Sequence, residues 1–372
     1  MPRLLVAITP HGYGHAVQVA PVLEALYAQV PSLELYLITI VPEAFLRDCI
    51  RVPFVLESRA PDFGLHMHSA LAIDLPGSAQ AYARLHADWE VRVDEEARRL
   101  DAIGPDLVLA DVPALTLAAA RRAGIPAWAL CSLNWADIYV AYFSGRPEAP
   151  AVLEDLRTAY ASAQGFIQPE PSMPMEELDN RFAVGPIGRT GRADPAALRA
   201  SLGLDAQTAL VLVSLGGVAA RFELTRWPRI SGLHWIVPDD WDPGRPDITT
   251  LGEVCGAMDM RFIDVLASAD AVLGKCGYGT VTECVLNATP LLHLPRQDWP
   301  EDPCLASWLR QHDAGLALAP QSLEDGSLTG ILDQLRSLQP RRRKATGADQ
   351  AAVLLARALG ELPGPAQGLR HG

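Results

Sequence analysis

Three observations predict an α/β protein made of two doubly wound parallel sheets facing each other across a cleft. Short apolar runs alternate with amphipathic segments in both halves of the chain, which is the pattern of strand–helix–strand units. In each half such a run ends in a glycine-bearing turn that leads into a helix pattern. The length of 372 residues suits two domains of ordinary size. The expected organisation is an N-terminal domain over residues 1–185, a C-terminal domain over 186–345, and a helix with a tail over 346–372. In open sheets of this Rossmann-like kind, ligands bind beyond the carboxyl ends of the strands. The glycine turns are therefore the places to search for a site.

Composition narrows the function classes. The formal net charge is −13, which argues against a nucleic-acid partner, because such proteins carry a basic footprint. The run Arg341-Arg342-Arg343-Lys344 reads as a solvated helix end. No apolar run reaches the roughly 18 residues of a membrane span, and the apolar N-terminus reads as a strand rather than a signal peptide. The six cysteines, Cys49, Cys131, Cys255, Cys276, Cys284 and Cys304, are scattered and form no C-x-x-C pair. This favours reduced thiols and a cytoplasmic location.

The first strand covers 4–8 and ends in Thr9-Pro10-His11-Gly12-Tyr13-Gly14-His15. A helix follows over 16–28. A histidine titrates near neutral pH, so His15, and less strongly His11, are candidates for a general base. A loop histidine that only caps the helix is the bland alternative. Strands follow over 33–40 and 54–57. Residues 60–78 read as a long loop placed to cover an acceptor pocket; its His66 and His68 lack a third metal ligand. A single long helix is expected over 79–103. The next strand, 105–111, ends in Asp111. That residue is either a partner for His15, since parallel strands bring their carboxyl ends together, or the cap of a helix over 114–123. A strand over 127–131 leads to Asn134 and Trp135. Both are acceptor contacts or, as readily, structural residues.

Prolines and glycines crowd between 168 and 195, and the interdomain link is placed at 185–192. A helix over 195–202 and a strand over 209–214 lead to Ser214-Leu215-Gly216-Gly217. Ser214, Gly216 and Gly217 there suit a phosphate or form an ordinary turn. A strand over 233–237 and a helix over 263–267 precede the most informative stretch, Ala271-Val272-Leu273-Gly274-Lys275-Cys276-Gly277-Tyr278-Gly279-Thr280-Val281-Thr282-Glu283. It reads as a strand over 271–273, a glycine turn, and a helix opening near Thr280. The helix amino end and close backbone amides suit a diphosphate, and Glu283, one turn on, suits a ribose diol. The spacing is neither G-x-G-x-x-G nor a Walker loop. A strand over 290–294, an acidic loop with Asp298, Glu301 and Asp302, a helix over 303–311 and a last helix over 348–359 complete the chain. Residues 363–372 read as a disordered tail.

These motifs, taken in order, resemble GT-B fold glycosyltransferases over roughly residues 4–318. The likeness is greatest to the glycosyltransferase-like region of plant L-arabinokinases and its free-standing bacterial relatives, which carry G-H-G-[FY]-G-H-A and G-K-x-G-Y-G-T-x-x-E. The corresponding residues here are His11 to Ala16 and Gly274 to Glu283; Pro10 stands where the first motif opens with glycine. A more distant likeness is to the bacterial lipid II N-acetylglucosaminyltransferase and the UDP-glycosyltransferases. No kinase-type phosphate loop follows, so arabinokinase activity is not implied. The resemblance implies transfer of a sugar from a nucleotide-diphosphate sugar, UDP favoured, to a hydroxyl of a small or lipid-like acceptor, with inversion. His15 would be the base and Asp111 its partner. Ser214, Gly216, Gly217 and the amides of Gly277, Tyr278, Gly279 and Thr280 would hold the diphosphate. Glu283 would bind the ribose, Arg261 and Phe262 the base, and Glu301, Asp302 and Asp298 the donor sugar. No metal and no cofactor are expected. A non-catalytic sugar-nucleotide-binding or regulatory protein, and a UDP-sugar epimerase, are the alternatives.

Overall fold

The computed structural model describes residues 1–69, 72–215, 224–241, 244–296, 298–319, 321–324, 327–328 and 330–360. The chain forms two compact units. One comprises Met1–His66, Ile73–Ile187 and the segment from Thr346; the other comprises Met67–Ala72 and Gly188–Ala345.

The first unit is built on a seven-stranded parallel sheet. Its strands are β1 (Arg3–Ile8), β2 (Glu34–Thr39), β3 (Val55–Ser58), β6 (Leu107–Asp111), β7 (Ala127–Leu130), β8 (Gly165–Pro169) and β9 (Arg181–Val184). Two short intervening strands, β4 (Met67–Ser69) and β5 (Ala72–Ile73), pair separately. The order across the large sheet is β3-β2-β1-β6-β7-β8-β9. The chain thus winds outward from β1 to β3, then returns to lie on the other side of β1. Leu4, Leu5, Val6, Ala7 and Ile8 are all fully buried, because a central parallel strand is covered on both faces and must be apolar throughout.

The second unit repeats the plan with six parallel strands: β10 (Ala209–Ser214), β11 (Leu233–Val237), β12 (Ile248–Thr250), β13 (Ala271–Lys275), β14 (Leu291–Leu294) and β15 (Gly315–Ala317). Their order is β12-β11-β10-β13-β14-β15, so the reversal falls between β10 and β13. Trp235, Trp227 and Trp241 pack together in its core.

Several sequence expectations change. The single helix expected over 79–103 is two helices, Leu75–Ala87 and Trp89–Ile103, which break at Asp88 (φ −116°, ψ 29°). The first starts within the expected loop because the Asp74 carboxylate accepts from the Gly77 amide at 2.9 Å and caps it. Across the break, His86 stacks on Trp89 at 4.7 Å and bonds to Asp155 at 2.7 Å; this tertiary anchoring has no periodic signal. The helix expected from Thr280 opens at Tyr278. The tail over 363–372 lies outside the described residues.

The last helix, Gly347–Ala358, packs on the helix Gly14–Gln29 of the first unit. Its first residue must be glycine, since a Cβ at Gly347 would lie 1.9 Å from the Gly185 carbonyl oxygen. Gln350 adds a hydrogen bond from the Gly185 amide at 2.7 Å. Gly347→Ala is expected to displace the helix and cost about 1–3 kcal/mol, read as a lowered thermal midpoint with the circular dichroism of the rest preserved.

Candidate functional site

Each sheet reverses its strand order once, and at such a point the loops diverge and leave space for a ligand. In the first unit the reversal lies between β1 and β6, where Ile8 pairs with Asp111. The Thr9 amide donates to the Asp111 carbonyl at 2.7 Å, which ties the start of the His11–His15 turn to the end of β6. His15 is the second residue of the helix Gly14–Gln29. Its Nδ1 lies 2.9 Å from Asp111 Oδ1, and both residues are buried.

The arrangement dictates the tautomer. A carboxylate only accepts, so the shared proton sits on His15 Nδ1 and Nε2 keeps a lone pair. Burial pushes the Asp111 carboxyl above its ordinary range, and His15 works against that rise. Cys131, just past β7, completes the cluster. Its thiol also favours the charged form of Asp111, and its Sγ is 3.7 Å from His15 Nδ1. The donor atoms of these three residues all lie within 4.8 Å of one another. Cys131 escapes sequence reasoning because a lone cysteine after a strand carries no pattern. All six cysteines are unpaired in disulfide terms.

His11 contacts a different segment. Its Nδ1 lies 3.2 Å from the Leu65 carbonyl oxygen and 3.4 Å from the Leu65 amide, so it fastens the 62–65 loop. Its ring also meets Trp135 edge-on at 5.5 Å. Asn134 caps the helix Trp135–Phe143 through the Asp137 amide at 2.8 Å, which is a structural role. Trp135 is buried with its ring 6.2 Å from that of His15.

In the second unit the reversal places Ser214 beside Gly274. A Cβ at Gly274 would lie 2.3 Å from the Ser214 carbonyl oxygen, so this glycine serves close strand approach. Gly216 and Gly217 lie outside the described residues. Gly277 is the N-cap of the helix Tyr278–Asn287 and has no side chain with which to cap it. Tyr278, Gly279 and Thr280 form the first turn, where backbone amides and helix dipole favour an anion. Lys275 ends β13. Burial, then the nearby Arg296 charge, pushes its ammonium down to about 8.

The predicted acidic residues are more engaged than their sequence suggests. Glu283 is buried and accepts from Arg189 Nε at 2.6 Å; burial raises its carboxyl and Arg189 opposes that. Glu283, the carboxylate expected to meet a ribose, is thus already half of an ion pair. Asp302 accepts from Arg296 Nε at 3.0 Å and from NH2 at 2.6 Å through one oxygen, and from the Arg296 amide at 2.8 Å through the other. Both its oxygens accept bonds that hold the loop. Arg296 also donates to the Cys276 carbonyl and covers the Trp299 ring at 4.7 Å, so it binds the acidic loop to the glycine turn. Glu301 accepts from Trp299 Nε1 at 3.2 Å, and Asp298 is exposed. Arg261 is half exposed and pairs with Asp264 at 3.1 Å at the start of the helix Phe262–Ser268, which Phe262 opens. Arg189 and Arg296 had no motif to mark them; their roles depend on what they pack against.

Removing Arg189 leaves the Glu283 charge buried without its partner. Arg189→Ala is expected to destabilise the protein by about 3 kcal/mol, and Arg189→Met combined with Glu283→Gln to recover most of it. Urea unfolding of the wild type, the single and the double variants checks this.

No family model matches the chain. It is similar to the L-arabinokinase of Arabidopsis thaliana, with 25% identity over 350 residues, covering 90% of this chain and 32% of that protein. The chain therefore spans about a third of the length of that relative. It is also similar to an uncharacterized glycosyltransferase of Methanopyrus kandleri, with 23% identity over 317 residues, covering 80% of this chain and 90% of the relative. Among solved structures it superposes on UGT89C1 of Arabidopsis thaliana, complexed with UDP, at a TM-score of 0.59 and 15% identity, over 96% of this chain and 99% of that one. The fold is thus GT-B. No described helix is long and apolar enough to cross a membrane.

Proposed function

We propose that the protein is a glycosyltransferase that moves a sugar from a UDP-sugar to an acceptor hydroxyl with inversion at the anomeric carbon. The observation that carries this reading is the buried His15–Asp111 pair at the switch point of the first sheet. The two relatives and the UDP complex of a protein with the same fold add weight to it.

In the proposed reaction His15 Nε2 takes the proton of the acceptor hydroxyl, and Asp111 stabilises the imidazolium that forms. The acceptor oxygen then attacks the anomeric carbon. The bond from that carbon to the diphosphate oxygen breaks, and UDP leaves with the electron pair. Attack from the face opposite the leaving group inverts the centre. In the second unit the amino end of the helix Tyr278–Asn287, with Ser214, receives the diphosphate, and Lys275 and Arg296 offset its charge. Glu283, steadied by Arg189, meets the ribose, while Arg261 and Phe262 flank the base. Glu301 and Asp298 meet the sugar.

A second reading, a sugar-nucleotide-binding protein without transfer, is favoured by the Glu283–Arg189 pair, which occupies one oxygen of the ribose ligand. His15 separates the two readings. His15→Ala is expected to lower transfer from UDP-sugars by about 10²–10⁴-fold, while the UDP affinity from calorimetry stays within about twofold. Asp111→Asn is expected to behave alike, because the amide no longer enforces the tautomer. Absence of transfer from every UDP-sugar by the wild type, with UDP bound, selects the binding protein. Proton NMR of the product reads the anomeric configuration, and a retained centre overturns the base mechanism.

Lys275 supplies a pH dependence with a definite sign. It is cationic below a pKa of about 8 and loses that charge above it. UDP affinity is therefore expected to fall as pH rises from 7 to 9, and Lys275→Met to weaken binding about tenfold at pH 7 and flatten the profile. Calorimetric titration across that range measures both.

A further inference from the structure

The buried cluster that sets the imidazole also has the donor set of a metal site. His15 lies beyond β1, Asp111 ends β6 and Cys131 follows β7, so three adjacent strands each contribute one residue. A ligand atom from each lies within 4.8 Å of the other two. His15 Nδ1 is 2.9 Å from Asp111 Oδ1 and 3.7 Å from Cys131 Sγ. With bond lengths of about 2.0–2.3 Å, such atoms stand roughly 3.3–3.6 Å apart around a tetrahedral Zn²⁺. Modest rotations of the Asp111 and Cys131 side chains therefore close the cluster round an ion.

The surroundings favour positive charge. Asp111 Oδ2 is shielded from water and accepts no hydrogen bond among the described residues, which is costly for a carboxylate. A second buried carboxyl stands at the edge of the cluster. Asp62 Oδ2 accepts from Thr9 Oγ1 at 2.7 Å, and the Thr9 amide is tied to Asp111. Asp111 opposes the ionised form of Asp62, while His15 and the Trp135 indole favour it. A cation in the cluster offsets both carboxylates. The donor set selects the ion. A thiolate with an imidazole suits Zn²⁺ or Co²⁺ rather than Mg²⁺ or Ca²⁺, which take oxygen ligands. His15 is 8% exposed, against 0% for Asp111 and 1% for Cys131, so an ion enters past the imidazole.

We propose that His15, Asp111 and Cys131 form an inhibitory site for Zn²⁺, which switches off the general base by capturing its Nδ1. The switch rests on the transferase reading, in which Nε2 takes the proton of the acceptor. On binding, the thiol gives its proton to solvent and Sγ bonds the ion. Nδ1 bonds the ion too, and the proton it carried moves to Nε2. The ring stays neutral, but Nε2 then has no lone pair for the acceptor's proton. Withdrawal of the ion returns the proton to Nδ1 and one from solvent to the thiol.

The test is titration of the reduced full chain with Co²⁺ alone, followed by the near-ultraviolet band of a thiolate–cobalt bond. The band is expected to appear, to be abolished by Zn²⁺ and to be unaffected by Mg²⁺. Cys131→Ser is expected to remove it and to weaken binding by about a hundredfold, at least as much as loss of an outer-shell partner does. Cys255→Ser and Cys304→Ser, at the two partly exposed cysteines, are expected to leave it in place. Nitrogen-15 NMR of the wild type needs no variant: the His15 proton is expected on Nδ1 without metal and on Nε2 with bound Zn²⁺. No band, a band that survives in Cys131→Ser, or a tautomer unchanged by bound Zn²⁺ overturns the proposal. A transfer assay distinguishes its failure from that of the underlying reading. Transfer that falls about 10²-fold with bound Zn²⁺ and returns with a chelator supports both. Transfer undiminished with Zn²⁺ bound at the cluster overturns the switch and keeps the transferase. The cobalt band without transfer from any UDP-sugar by the metal-free chain removes the transferase and keeps the metal site.

Discussion

A buried carboxylate needs a partner, and the first unit is arranged around that need. Asp111 ends a strand whose residues are all buried, in a position where an ionised oxygen without a donor would be strongly disfavoured. Its donors come from neighbouring strand ends: His15 beyond β1 and Cys131 beyond β7. The parallel register brings those ends together, and the Thr9 amide holds them in line. The same bond that engages Asp111 Oδ1 fixes the imidazole's tautomer. Structural and chemical demands therefore coincide at one hydrogen bond.

The second unit solves a related problem with arginines. Its glycine turn lets β13 approach β10 closely and leads into the helix Tyr278–Asn287. The turn has few side chains to hold it, so Arg296 braces it from the next strand end, with Asp302 on one side, the Cys276 carbonyl on another and Trp299 beneath. Arg189 does the same for Glu283 from the segment that enters this unit. Two residues that look in sequence like substrate ligands thus owe much of their position to guanidinium partners. In the low-dielectric surroundings of these sites such pairs hold geometry firmly, which suits groups that must stay in place during a reaction.

The sheet organisation was legible in the sequence because parallel strands are apolar on both faces, and each strand run was followed by glycine or a breaker. Strands such as 209–214 and 233–237 coincide with those of the structure. The break at Asp88 was not legible, since the apolar spacing continues through it and the stop comes from His86 and Trp89 packing. Asn134 offered two readings in sequence, and its cap contact decides for the structural one. His11 and His15 share one motif, with His11 the weaker candidate; Leu65 and Asp111 give them different partners.

The sequence by itself determined the α/β class, the two sheets and the positions of the glycine turns, because local periodicity and turn chemistry act over a few residues. It also placed His15 and Asp111 at strand ends, where a parallel sheet collects ligands. Only the tertiary structure decided which strands are neighbours, and hence that Asp111 meets His15, that Arg189 and Arg296 pair with Glu283 and Asp302, and that Asp62 joins the edge of the histidine cluster. These contacts link residues from 6 to 96 positions apart. Side-chain partners at such separations are set by packing and burial of the whole sheet, which leaves no local pattern in the chain.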